Sequence, residues 1–271
     1  LKPIVTNQDK PIELIQLTDP HLYADKSAGL YGVNSLQSFE NVVAEALKYP
    51  MDLAMVTGDL VHDETEQGYH HLRQALQPLN VPTHLIPGNH DDAGFMQAEF
   101  RQGMITCDKQ VVMGDWQVIL LNSQLPGQVG GHLDEKELRW LERTLTKSDS
   151  PYTIVFLHHN PVPVGCKWLD PLGLDNPEKL FEVIAAHPQV KALVWGHVHQ
   201  EFDEERAGVR LLSTPSTCIQ FKPGVDDFEL DFLPPGYRWF RLDPDGSFET
   251  GVRRLDKVPD GLDPDAEGYG V

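Results

Sequence analysis

Carboxylates, imidazoles and one carboxamide recur in this chain in five short groups: Asp19-Pro20-His21, Gly58-Asp59, Gly88-Asn89-His90-Asp91, His158-His159 and Gly196-His197-Val198-His199. Each follows an apolar run that reads as a β-strand. Taken singly, each has a plain structural reading. An Asp after a strand is a common turn or cap residue, Gly88-Asn89 is an ordinary turn, and His197 and His199 are alternate positions of an exposed strand. Five groups at five successive strand ends are a convergence that unrelated surface loops rarely produce. Asp, His and Asn supply the mixed oxygen and nitrogen donors that hold two divalent ions roughly 3.5–4 Å apart, with one carboxylate to bridge them. Such a pair clamps a phosphoryl group and activates a water. The set contains no thiolate, which favours Mn or Fe, with Zn as the third candidate.

The elements that must position these groups follow from periodicity. Strands are predicted at Ile12 to Leu17, Leu53 to Val56 and Thr83 to Ile86, alternating with helices at Ser35 to Leu47 and Glu66 to Leu76. After Asp92 comes a hairpin, Val111–Val112 and Val118–Leu121 about Gly114-Asp115, then a helix from Asp134 to Leu145 and a buried strand from Thr153 to Leu157. A helix from Pro177 to Ala186, a strand from Ala192 to Trp195 and a hairpin about Ala207-Gly208 complete the pattern. The rhythm is that of βαβ units in two sheets packed face to face with helices outside, a layered α/β sandwich. The five groups then fall at strand ends, where open α/β sheets collect ligands. Beyond Phe221 the chain becomes rich in Pro, Gly and Asp, with a last hairpin about Asp243 to Gly246. DGLDPDAEGYGV at the end reads as an extended or disordered tail. The expected division is one domain over residues 1–255 and a tail over 256–271.

Composition narrows the partners. A formal net charge of −19, from 41 acidic and 22 basic side chains, excludes binding through neutralisation of a nucleic-acid backbone. A small anion remains compatible, because bound cations dominate the local field. Cys107, Cys166 and Cys218 are scattered and odd in number, which suits neither a disulfide framework nor a zinc ribbon. No run is apolar enough for a membrane span or a signal peptide, so a soluble, cytoplasmic protein without a membrane partner is expected. Oligomeric state is not legible. His70 and His71 read as surface groups, and Trp116 and Trp140 as core.

The order D-x-H, GD, GNHD, H, GHxH resembles the calcineurin-like metallophosphoesterases over Asp19 to His199. The resemblance implies a four-layer αββα sandwich with two central mixed sheets. It implies that Asp19, His21 and His199 hold one divalent metal ion, that Asn89, His158 and His197 hold the other, and that Asp59 bridges them. It implies further that His21, Asn89, His90 and His199 contact substrate and that His90 is the catalytic general acid, a task suited to imidazole at neutral pH. In the related protein phosphatases an Asp three positions after the bridging Asp orients this histidine. Here that position is His62, with Asp63 next, so the orienting group stays open.

A finer resemblance is to the bacterial class III 3′,5′-cyclic-AMP phosphodiesterases. It rests on Thr18-Asp19-Pro20-His21-Leu22, on Gly32 to Ser35, on Val56 to Leu60 and on Leu212 to Phe221. This implies a small-molecule cyclic nucleotide as substrate, cleaved to 5′-AMP by a metal-bridging hydroxide, with the last stretch either helping to shape the nucleotide pocket or merely supporting the site. Phe221 or His62 would then face the purine, and residues 226–235 form either a lid or a solvated loop. The competing readings are another phosphodiesterase or a nucleotide phosphatase on the same fold, such as a glycerophosphodiesterase, or a non-catalytic metal-binding scaffold.

Overall fold

The structure, a computed structural model, describes residues 10–266 and residue 268. In chain order the elements are β1 (Ile12–Leu17), β2 (Gly29–Leu30), β3 (Val33–Asn34), α1 (Ser35–Ala46), β4 (Leu53–Thr57), α2 (Glu66–Leu76), β5 (Thr83–Ile86) and α3 (Ala93–Glu99). There follow β6 (Ile105–Thr106), β7 (Gln110–Met113), β8 (Trp116–Leu120), α4 (Glu135–Thr146), β9 (Tyr152–Phe156), α5 (Pro177–Ala185) and β10 (Val190–Trp195). The last are β11 (Phe202–Arg206), β12 (Val209–Ser213), β13 (Gln220–Phe221), β14 (Leu230–Asp231), β15 (Gly236–Leu242) and β16 (Phe248–Arg254).

Two six-stranded sheets run in the orders β16-β15-β1-β4-β5-β6 and β11-β12-β10-β9-β8-β7. In the first, β1, β4, β5 and β6 are parallel, and β15 and β16 are antiparallel additions. In the second, β8, β9, β10 and β12 are parallel, flanked by antiparallel β7 and β11. Leu14, Met55, Ile86, Val118, Phe156, Val194 and Phe240 fill the space between the sheets. Phe39, Val42, Tyr69 and Leu72 pack α1 and α2 on the outer face of the first sheet, and Leu138, Leu141, Leu180 and Ile184 pack α4 and α5 on that of the second. The architecture is therefore the four-layer αββα sandwich with mixed sheets. Because their parallel strands are buried on both faces, β4 and β10 read as nearly continuous apolar runs.

The helices begin where local chemistry says they should. Asn34, Thr65, Asp92 and Asp134 each accept a hydrogen bond from the backbone N–H three residues on, which satisfies one of the free donors of the first turn. In α4, Glu135 and Glu137 lie in the first turn and Arg143 in the last, complementing the helix dipole.

One histidine on α2 departs from expectation. His71 is buried, with Nδ1 on the Tyr23 carbonyl and Nε2 on Gln67, because its face of α2 turns inward. Most described residues of the C-terminal segment are exposed, with a few apolar side chains laid against the cores. Leu255 lies against the core of the first sheet, and Leu262 and Ala266 against that of the second. The end of the expected tail, residue 267 and residues 269–271, lies outside the described residues. In residues 226–235, Phe228 and Leu230 pack inward while Phe232 and Leu233 stay exposed.

Candidate metal centre

The C-terminal ends of β1, β4 and β5 from one sheet and of β9 and β10 from the other meet at one edge of the sandwich, and each delivers its group there. Asp19, His21, Asp59, His158, His197 and His199 are all buried, while Asn89 and His90 are half-buried. Ligand atoms of Asp19, His21 and His199 lie within 4.8 Å of one another, as do those of Asp19, Asp59 and His158. Asn89 Oδ1 lies 3.2 Å from His158 Nε2. The two oxygens of Asp59 point to different sides: Oδ2 is 3.7 Å from His21 Nε2, and Oδ1 is 3.4 Å from His158 Nε2.

Hydrogen bonding leaves the lone pairs of these groups aimed inward. His158 donates Nδ1–H to the Thr57 carbonyl at 2.8 Å and His199 donates Nδ1–H to that of Ile219 at 2.9 Å, so Nε2 of each faces the site. His21 Nε2 and His199 Nε2 approach to 3.2 Å, a repulsive arrangement of two lone pairs unless a proton or cation lies with them. Both ring nitrogens of His197 and Oδ2 of Asp59 are buried with no hydrogen-bond partner, although such atoms are ordinarily satisfied. Burial keeps His21 and His197 neutral, well below the usual imidazole range, which is the state a ligand must have. Burial also opposes the Asp59 charge, yet the imidazoles of His158, His90 and His21 outweigh it and hold the carboxyl well below its usual range. Burial works against a charged His158 too, but Asp59 raises it to about 9. The cavity thus stabilises positive charge where the donors converge, and the residues fit a pair of divalent cations.

His159 lies close to His158 and His197, but both its nitrogens are engaged. Nε2 meets the Val129 carbonyl at 3.1 Å and Nδ1 the Ser123 hydroxyl at 2.8 Å. A ring that donates from one nitrogen and accepts at the other has no lone pair left for a metal.

The backbone of the centre is unusual. Asp19, His21, Asp59, His197 and His199 all adopt positive φ, between 47° and 65°, a left-handed conformation that costs a non-glycine residue roughly 1–2 kcal/mol. The glycines of the motifs allow close approach: a Cβ on Gly88 would collide with Asp59, and one on Gly196 with Thr18 and Asp19. Thr18 bridges two loops by donating to Asp19 Oδ2 at 2.6 Å, while the Thr18 backbone carbonyl accepts from Thr217.

One role escaped sequence reasoning. Asp91 accepts from the backbone N–H groups of Leu60, Val61 and Gly88 and from the Tyr69 hydroxyl, tying the Asp59 loop to the Asn89 loop. Burial, with the Asp59 charge beside it, raises its pKa to about 7. Its place in the GNHD run was the available signal. The 212–221 stretch braces the site: Ser216 Oγ donates to the Asp19 carbonyl, and the Thr217 hydroxyl to that of Thr18. Phe221 lies flat on His199, 4.3 Å away at an interplanar angle of 8° and almost wholly buried, so its face is not open to a purine.

His90 stacks on His62 at 4.4 Å, and its backbone N–H donates to Asp59 Oδ1. The Asp63 carboxylate is occupied by the Ala24 N–H and the Thr65 hydroxyl. Where the protein phosphatases have an Asp against this histidine, an imidazole lies here. Burial, and after it the neighbouring His90, lowers its pKa to about 4.

Comparison with known proteins agrees with this geometry. The family model described as calcineurin-like phosphoesterase matches residues 12–201. The chain is 43% identical over 263 residues to the 3′,5′-cyclic adenosine monophosphate phosphodiesterase CpdA of Pseudomonas aeruginosa, covering 96% of each chain. It is 41% identical over 262 residues to CpdA of Escherichia coli K12, covering 95% of each. Among solved structures, a dimetal phosphatase from Danio rerio superposes with a TM-score of 0.64 at 14% identity, over 89% of this chain and 99% of the other, a likeness of fold alone.

Proposed function

The chain belongs to the calcineurin-like phosphoesterases, and on that premise we propose that it hydrolyses 3′,5′-cyclic AMP to 5′-AMP at a binuclear centre. The substrate reading is supported by the near full-length similarity to the two CpdA phosphodiesterases. The observation that carries the chemistry is the divided Asp59 carboxylate, with one oxygen facing the His21 side and the other the His158 side. In this reading Asp19, His21 and His199 hold one divalent ion, Asn89, His158 and His197 hold the other, and Asp59 is shared. A mixed set of imidazole nitrogens, carboxylates and a neutral carboxamide, with no thiolate, suits Mn or Fe, with Zn next. When bound, the ions neutralise phosphate charge and supply an activated water.

The side chains do the rest. His21, Asn89 and His199 surround the phosphate. His90, half-buried and reaching the same crevice as His21 and His199, donates a proton to the departing 3′ oxygen. Stacking on His62 fixes the plane of the His90 ring, so the proton is delivered from one direction. The acidic exterior leaves small anions, not nucleic acid, as partners. A cytoplasmic setting belongs to the same reading, since Cys107, Cys166 and Cys218 are free thiols, the state a reducing compartment maintains. No helix among the described residues is long and apolar enough to cross a membrane.

The test is a Mn- or Fe-reconstituted assay comparing 3′,5′-cyclic AMP, cyclic GMP, 2′,3′-cyclic AMP and an aryl diester, with products separated chromatographically. A dominant kcat/KM for 3′,5′-cyclic AMP with 5′-AMP as sole product is the expected result. Cleavage of the aryl diester alone would leave the centre standing and remove the substrate.

A further inference from the structure

The rim of the crevice carries a residue that the reading so far does not use. β2 and β3 are joined by a two-residue turn, Tyr31-Gly32, with φ of 47° and 82°. Two positive φ values define the type I′ hairpin, in which Asn, Asp or Gly is the favoured first residue. A tyrosine there is strained, and strain of this kind points to function when it lies beside a site. Tyr31 does. It lines one crevice with His21, His62, His90, His199, Leu30 and Phe221, beside the imidazoles proposed to surround the phosphate.

Contacts from two other segments hold it. Its hydroxyl donates to the Gly268 carbonyl at 3.0 Å, its own carbonyl accepts from the Asp263 N–H at 2.9 Å, and Phe228 tilts against its ring at 5.5 Å. The backbones of Gly32 and Gly261 are pressed together so closely that a Cβ on either would collide with the carbonyl oxygen of the other. The C-terminal segment is thus a clamp on the hairpin. A cyclic nucleotide has a short reach: its phosphate is fused to the ribose, which keeps the base within the width of a sugar from the phosphorus. With phosphate at His21, His90 and His199, the base emerges at this rim. The alternative platform, Phe221, has its face covered by His199.

We propose that Tyr31 is a specificity-determining residue whose ring packs against the base of the nucleotide, held in register by the C-terminal segment through the Gly32–Gly261 contact. This rests on the cyclic-nucleotide reading above. The test uses the metal-loaded full chain, with metal content measured, and two substrates: 3′,5′-cyclic AMP and ribose 3,5-cyclic phosphate, which lacks a base. Base–aromatic stacking is worth about 1–3 kcal/mol, so Tyr31→Ala is expected to raise KM for cyclic AMP about tenfold with kcat retained. The base-free substrate is unaffected. Tyr31→Phe keeps most of the wild-type KM, and Gly261→Val shifts KM for cyclic AMP in the same direction as Tyr31→Ala although Tyr31 is intact. Calorimetric affinity for 5′-AMP falls in parallel in Tyr31→Ala. Equal losses on both substrates, or an unchanged KM for cyclic AMP, would overturn the proposal. If the wild type turns over the base-free diester as well as cyclic AMP, the substrate reading itself fails. If the wild type prefers cyclic AMP and Tyr31→Ala keeps that preference, only the role of Tyr31 is lost.

Discussion

The floor and the rim of the crevice are built in opposite ways. The floor is made of side chains at the ends of five parallel strands of two packed sheets, almost without exposure and braced by carbonyls and buried carboxylates. The rim is a four-residue ladder whose turn is held by the C-terminal segment from the far end of the sequence. A floor fixed by the cores of both sheets can hold ions at fixed separation. A rim held by a few late contacts can change with little disturbance to the chemistry below. On the proposed reading, reaction type belongs to the floor and substrate choice to the rim.

That division is open to attack. The largest effect is expected at Asp59→Ala, which removes the shared carboxylate. Removing a hydrogen-bond partner of a metal ligand costs roughly 10–100-fold in affinity, and loss of a shared ligand itself should exceed that for both ions, seen as sub-stoichiometric metal by elemental analysis and near-zero turnover. A variant retaining two ions would refute the bridging role. His90→Ala comes next: about 10²–10⁴-fold in kcat, with metal content unchanged and greatest for substrates with poor leaving groups. If activity and metal fall together, His90 is a floor ligand and not the acid. Thr18→Val, which removes the donor to Asp19 Oδ2, should weaken metal retention by about 10-fold or more and recover turnover at high metal concentration. Failure to recover would mean that Thr18 acts on more than the ion.

The smallest effect separates the centre from its scaffold. Burial lowers the pKa of His84 on β5, with the Asp108 carbonyl as its partner. Because the folded value lies below the unfolded one, stability is fully present above about pH 6.5 and is lost as pH falls, since the unfolded chain takes the proton first. His84→Gln should therefore show a smaller drop in Tm between neutral and mildly acidic pH, while acid loss of metal is unchanged. An identical drop in both proteins would place the acid sensitivity elsewhere.

The sequence announced the floor because its groups sit at fixed offsets from strands long enough to show a period. β1, α2 and β5 have the expected bounds, and α4 starts one residue later than Asp134 only because Asp134 caps it. The rim gave no such sign. Two-residue strands carry no alternation, so β2, β3, β6, β13 and β14 leave no periodic trace. The clamp depends on two glycines 229 positions apart, a contact that local composition reads as solvated tail. Composition likewise exposed His71, whereas the inward face of α2 buries it.

Five of the seven proposed ligands sit in left-handed backbone. At roughly 1–2 kcal/mol each, their combined strain is of the order of a whole domain's net stability, about 5–15 kcal/mol. The centre is thus the part of the molecule least at ease with its own fold. Selection for heat resistance alone, without a demand for turnover, would drift toward glycine at Asp19, His21 or His199, trading the reaction for a more relaxed chain.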